Sequence, residues 1–146
     1  SLTRQNLEPF RKKYSSINMC SFGAYEVFRT NKKINLTILA SGSEVNLAIE
    51  TSHKLAKDRI YSKVISMPCF NIFDQQSKTY KKQILRETRN IISIEAASTD
   101  SWKKYIGTDG LSFGIDAFGK SAPYKDIYKH FGLTSKNIIN KSKKLL

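Results

Sequence analysis

Residues 38–45 read ILASGSEV, and a helix-patterned stretch, NLAIETSHKLAKDR, follows directly over residues 46–59. A β-branched apolar run, a glycine turn and then a period of 3.6 describe a strand that turns straight into a helix. Val45, Ala48, Ile49, Ser52, Leu55 and Ala56 recur at i, i+3, i+4 and i+7 and so define one buried stripe. Glu50, Lys54, Lys57 and Asp58 fall outside it. Ser41 and Glu44 have the S-x-x-E spacing of a capping box, so the helix is expected to open with Gly42 and Ser43. Next, IYSKVISM (residues 60–67) reads as a strand stopped by Pro68. Strand, helix and strand at this spacing form a βαβ unit, whose strands are parallel and whose crossover is right-handed.

Upstream, GAYEVF and INLTILA flank a polar TNKK. Two apolar runs around a polar turn predict an antiparallel hairpin. The TILA end is nearly all apolar, as expected of a strand covered on both faces. Residues 8–21 have no steady period, and Pro9 and the basic Arg11–Lys13 run mark a surface linker with room for one helical turn.

Downstream, FDQQ reads as irregular and SKTYKKQILRE as a helix with Tyr80, Ile84 and Leu85 inward. Ile91–Ala96 is a third core strand, TDSWKKYIG gives one or two helical turns, and LSFGID is a last short strand. Pro123 suits the first turn of a helix whose Tyr124, Ile127, Tyr128 and Phe131 share a face, and Gly132 ends it. Thr134 or Ser135 caps a final helix with Ile138, Ile139, Ser142, Leu145 and Leu146 inward. The expected fold is therefore α/β, a three-layer Rossmann-like domain. Its mixed sheet has about five strands, the first antiparallel and the rest parallel, with helices on both faces.

Composition narrows the function. The 146 residues fit one domain and are 40% hydrophobic, enough for a real core. No apolar run approaches the ~20 residues of a membrane span, and the first residues lack the pattern of a secretory leader. Cys20 and Cys69 are far apart and neither lies in a CxxC, which fits a reducing, cytoplasmic setting. His53 and His130 neighbour no cysteine or second histidine, so no zinc spacing exists. The net charge of +13 raises nucleic-acid binding. Yet the lysines form separate doublets (Lys12–Lys13, Lys32–Lys33, Lys81–Lys82, Lys103–Lys104, Lys143–Lys144) rather than one patch. Neither a nucleic-acid nor a membrane partner is expected.

In an open parallel sheet, ligands bind beyond the carboxyl ends of the strands. Those ends carry Ser41-Gly42-Ser43, Met67-Pro68-Cys69 and Glu95-Ala96-Ala97. The first is a helix N-terminus and a candidate small-anion site, although it is neither GxGxxG nor a P-loop. Glu95 is placed to act as a general base or, more simply, to accept hydrogen bonds from a neighbouring loop. Asp100, Asp109 and Asp116 are scattered near turns, and no G-x-S-x-G elbow exists. Pattern alone thus gives an α/β domain with no visible catalytic constellation.

Seven segments in order add a resemblance: LTRQNL, GAYEVF, ILASGSEVNLAIE, VISMPCFNIFDQQ, IEAASTDSWKKYIGTDG, FGIDAFGKSAP and HFGLT. Together they resemble the C-terminal domain of the transketolase family along essentially the whole chain. Departures are small: Thr3 stands for the family's usual serine, Ser41 for a threonine, and Ala97, Ser98 and Ala117 alter two loops. The resemblance implies an enzyme that moves a two-carbon ketol unit between sugar phosphates in the pentose phosphate pathway. It implies thiamine diphosphate with Mg2+ or Ca2+ as cofactors, held by other domains, and a homodimer as the active assembly. No catalytic, cofactor or metal residue is expected in this chain, which alone is expected to be inactive and to serve dimer support or regulation. It implies one substrate residue, Arg4, gripping the sugar phosphate with a bidentate guanidinium. Residues 1–21 are expected to be the end of a pyrimidine-binding domain plus a linker, and 22–146 the C-terminal domain. Two other readings stay open. One is the matching domain of another thiamine diphosphate enzyme (deoxyxylulose-phosphate synthase or a 2-oxoacid dehydrogenase subunit), against which the RQN and GIDAFGKSAP segments count. The other is a basic module that binds anions or nucleic acid.

Overall fold

A computed structural model describes residues 5–11 and 14–146. Its strands are β1 (Tyr25–Arg29), β2 (Leu36–Ala40), β3 (Ser62–Ser66), β4 (Ile91–Ile94) and β5 (Leu111–Phe113). Its helices are α1 (Glu44–Lys57), α2 (Phe70–Asp74), α3 (Lys78–Leu85), α4 (Lys103–Ile106), α5 (Tyr124–His130) and α6 (Ser135–Ser142). Short 3-10 turns occupy Met19–Phe22 and Thr99–Trp102. The strands form one five-stranded sheet in the order β1-β3-β2-β4-β5, with β1 antiparallel and the others parallel.

All five residues of β2 are buried, because this strand lies at the centre with a layer on each face. Leu36, Ile38 and Ala40 pack with Val45, Ala48 and Leu55 of α1 and Ile138 of α6. Leu39 and Ile65 point the other way, onto Phe73, Ile84 and Leu85 and onto Trp102 and Tyr105. The result is the expected three-layer α/β/α sandwich. Each fully buried Leu or Ile contributes about 1.5–3 kcal/mol, so the two faces together supply the main stabilisation.

The hairpin expected from TNKK does not form. β1 pairs with β3, not with β2, with Tyr25 opposite Ser66 and Arg29 opposite Lys63. The central β2 already has a parallel neighbour on each side, so no edge remains for β1 there. β1 is mostly half-exposed, carries Glu26 and Arg29, and slips register between Glu26 and Phe28, as suits an edge strand. Gly23 makes this route possible. Its φ is +76, and a Cβ there would come within 2.2 Å of the Phe73 backbone nitrogen.

Other local expectations are also refined. The Ser41/Glu44 capping box is absent: Ser43 is the N-cap, in helical φ/ψ and without a side-chain cap bond. The Glu44 carboxylate leaves its own helix for long-range partners instead, as described below. FDQQ (residues 73–76), read as irregular, starts inside a helical turn, Phe70–Asp74, that buries Phe73. Ile49 and Ala56 are only half-buried, whereas Glu44 and Thr51 join the buried side of α1. Leu146, read as inward-facing, is 45% exposed, as is Tyr124 on the shared face of α5. The third strand ends at Ile94 rather than Ala96 and the last at Phe113. Gly132 (φ +74) ends α5, and Thr134 caps α6 by accepting the Asn137 N–H.

Cys20 and Cys69 are free. His53 lies exposed on α1 with its ring 4.5 Å from that of Phe28, and His130 packs on Phe131. No helix among the described residues is long and apolar enough to cross a membrane.

Candidate functional site at the carboxyl end of the sheet

The turn after β2 and the residues after β4 open together at the carboxyl end of the sheet, as the topology demands. They line an open cavity of about 580 Å³, whose wall includes Ser41, Gly42, Glu44, Glu95 and Tyr128. Sequence reasoning had singled out the turn and Glu95; the fold brings them into one place.

Glu44 is the centre of the site. It is 4% exposed, and a buried carboxylate must be fully hydrogen-bonded to be tolerated. Tyr128 donates its hydroxyl to Oε1 at 2.5 Å, and Ser43 Oγ donates to the same oxygen at 2.6 Å. The Ala96 N–H donates to Oε2 at 3.0 Å. The first turn of α1, the loop after β4 and helix α5 are thereby tied to one side chain. Tyr128 in turn accepts a hydrogen bond from Gln5 Nε2 at 2.9 Å. Burial, followed by the bond to Glu44, pushes the Tyr128 phenol above its ordinary range, so it keeps the proton it donates.

Glu95 accepts the indole N–H of Trp102 at 2.8 Å, and Trp102 is 1% exposed. Burial pushes the Glu95 carboxyl up and the Glu44 charge adds to this, while the Trp102 bond pulls the other way. The Trp102 bond is what the simpler of its two expected roles, an acceptor for a neighbouring loop, requires. Asp116 does similar work nearby, accepting the Thr99 N–H and hydroxyl, each at 2.8 Å. Asp100 pairs with Lys103 at the surface.

The Ser41-Gly42-Ser43 turn lines the cavity, but Ser43 is already committed to Glu44. Two carboxylates flank the turn, and Lys120 is the one lysine or arginine among the described lining residues. That field opposes a small anion rather than attracting one. Nor do these residues fit thiamine diphosphate or its metal. Both carboxylates are engaged by protein donors, and the described residues contain no group of three or more His, Cys, Asp or Glu side chains suited to a metal ion. Arg4, the expected phosphate-binding residue, lies outside the described residues.

Sequence reasoning missed Gln5 and the tertiary roles of Glu44 and Tyr128. Glu44 looked like a local cap because its spacing from Ser41 satisfies that pattern. The signal against it was position: it directly precedes the buried stripe at Val45, on the side that faces the sheet.

Comparison with known proteins is consistent with this geometry. The Transketolase-like TK C-terminal domain family matches residues 23–134. A transketolase from Buchnera aphidicola subsp. Acyrthosiphon pisum is 38% identical over 146 residues, covering 99% of this chain and 22% of its own length. The structure of a transketolase from Leishmania mexicana superposes with a TM-score of 0.85 at 36% identity, covering 97% of this chain and 20% of that one. A transketolase from Pichia Stipitis, solved in complex with sedoheptulose 7-phosphate, superposes with a TM-score of 0.80 at 34% identity over 90% of this chain and 19% of that one. The chain thus spans about a fifth of the length of the relatives it matches. The basic-module reading and the other thiamine enzymes give way to a single conclusion: this chain belongs to the transketolase family, whose C-terminal domain it forms.

Proposed function

We propose that the chain works as the C-terminal domain of an enzyme that transfers a two-carbon ketol unit from a ketose phosphate to an aldose phosphate. The observation that carries this reading is the near end-to-end match to transketolases, at 38% identity over 99% of the chain. The sedoheptulose 7-phosphate complex of the Pichia relative supports sugar phosphates as the substrate class.

Residues 1–21 then form the end of a preceding domain plus a linker, and 22–146 the C-terminal domain. Arg4 is the substrate residue, its planar guanidinium holding the sugar's phosphate through two parallel hydrogen bonds. Binding energy gained at a remote phosphate orients the reacting carbons and so contributes to catalysis. Thiamine diphosphate, which supplies the carbanion chemistry, and its Mg2+ or Ca2+ belong to the rest of the enzyme. The active assembly is a cytoplasmic homodimer, and the domain's own contribution is structural and positional.

Ketol transfer from xylulose 5-phosphate to ribose 5-phosphate tests this. With thiamine diphosphate and Mg2+ supplied, the 146-residue chain alone is expected to give no turnover. Turnover by the chain alone would refute the reading.

A further inference from the structure

Glu44 and Tyr128 take no part in the proposed ketol transfer, yet the sequence places a buried carboxylate and a half-buried phenol where an apolar pair would pack more simply. Their geometry accounts for them. Three donors converge on Glu44, and Tyr128 has a single proton, which it gives to Glu44 at 2.5 Å. The lone pairs left on the tyrosine oxygen face Gln5, so the Gln5 amide must present its NH2 group, as it does at 2.9 Å. One side chain rooted in the core therefore holds a residue 123 positions away. A second tie acts on the same segment: Asn46 Nδ2, also in the first turns of α1, donates to the Glu8 carbonyl at 3.0 Å. Gln5 is covalently next to Arg4 in the sequence.

We propose that the Gln5–Tyr128–Glu44 chain is a positioning device for the sugar-phosphate site: it anchors the backbone beside Arg4, so the C-terminal domain sets the affinity for phosphorylated sugars. The proposal rests on the reading of Arg4 as the phosphate-binding residue. Anchoring the neighbouring residue removes conformational freedom that phosphate binding would otherwise have to remove, which is preorganisation. Tyr128 and Gln5 are thus positioning residues acting through Arg4.

The test uses the complete enzyme carrying this domain, with two donors: xylulose 5-phosphate, and erythrulose, a ketose without phosphate. Tyr128→Phe deletes only the hydroxyl, and Gln5→Ala removes the other end of the chain without touching a core residue. Each is expected to raise KM for xylulose 5-phosphate about five- to tenfold, the worth of one hydrogen bond. KM and kcat for erythrulose are expected to stay within about twofold of the parent, since phosphate binding is not used there. The double variant is expected to be no worse than either single one, because the two residues act as a unit. A purely structural role would lower the melting temperature and leave the ratio of the two KM values unchanged; that result overturns the proposal. An equal KM rise for both donors also overturns it. Arg4→Ala separates the two levels. If it raises the xylulose 5-phosphate KM while Tyr128→Phe does not, the positioning device alone falls. If Arg4→Ala leaves that KM unchanged, the reading of Arg4 falls and the proposal with it.

Discussion

The two ends of the sheet treat charge in opposite ways. At the amino end of the parallel strands, Glu26, Arg29, Lys63 and Glu87 form a closed network. Arg29 bridges Glu26 and Glu87, each at 2.7 Å, and Lys63 meets Glu87 at 3.1 Å while donating to the Gln83 carbonyl at 3.1 Å. At the carboxyl end, Glu44 and Glu95 face a shared cavity and are answered by neutral donors: a phenol, an indole, a serine and a backbone N–H. The consequence shows in their acidities. Arg29, with help from Lys63, holds the Glu87 carboxyl down to about 2, whereas burial and Glu44 push the Glu95 carboxyl up. One end satisfies its charges among themselves. The other holds its carboxylates with neutral donors beside an open cavity and, through Tyr128, ties in the segment at Gln5.

Breaking the closed end is expected to have the largest effect on stability. Lys63 is 1% exposed, so Glu87→Ala leaves a buried ammonium without its carboxylate. The expected loss is about 3 kcal/mol in urea unfolding, at the low end for a buried pair because Glu87 itself is partly exposed. Lys63→Met in the same background should recover most of it, since an apolar side chain there needs no partner. Tyr128→Phe at the open end is expected to lose about 1.5–2 kcal/mol, the worth of a hydrogen bond to a charged group. Ser43 and the Ala96 N–H still serve Glu44 in that variant.

The smallest effects distinguish the ends by sign. Glu87 has a lowered native pKa of about 2 against an ordinary 4.5. The unfolded chain therefore takes up that proton first, and this contribution to stability is lost as pH falls from about 4.5 towards 2. Glu95 is the reverse. Its native pKa lies above 4.5, so the folded chain takes up the proton first, and stability falls as pH rises through that raised value. Glu95→Gln keeps an acceptor for Trp102 and removes the charge. It should leave stability unchanged near pH 4 and raise it by less than about 1 kcal/mol at pH 7. A flat difference between parent and variant across this range would show that Glu95 is as well solvated as an exposed carboxylate.

The α/β class, the βαβ unit and the layer order were legible because period and burial are local signals. The stripe from Val45 to Leu55 and the run Leu36–Ala40 say where they must lie. Strand pairing was less legible. Antiparallel hairpins and edge strands share the same local pattern, and the partner of β1 depended on β2 already being flanked on both sides. The site divides in the same way. The turn at Ser41 and the carboxylate at Glu95 follow from the topology of any open parallel sheet. The contacts from Gln5 to Tyr128 and from Glu44 to Ala96 join residues far apart in sequence, and no spacing rule reports them.

The division of labour between the two ends is tested most directly by one ratio, KM for xylulose 5-phosphate over KM for erythrulose, measured in the complete enzyme with Glu87→Ala and with Tyr128→Phe. The expected result is that Glu87→Ala loses more stability and leaves the ratio unchanged, whereas Tyr128→Phe loses less stability and raises the ratio about five- to tenfold. A ratio that follows stability in both variants, rising more in Glu87→Ala than in Tyr128→Phe, would contradict it.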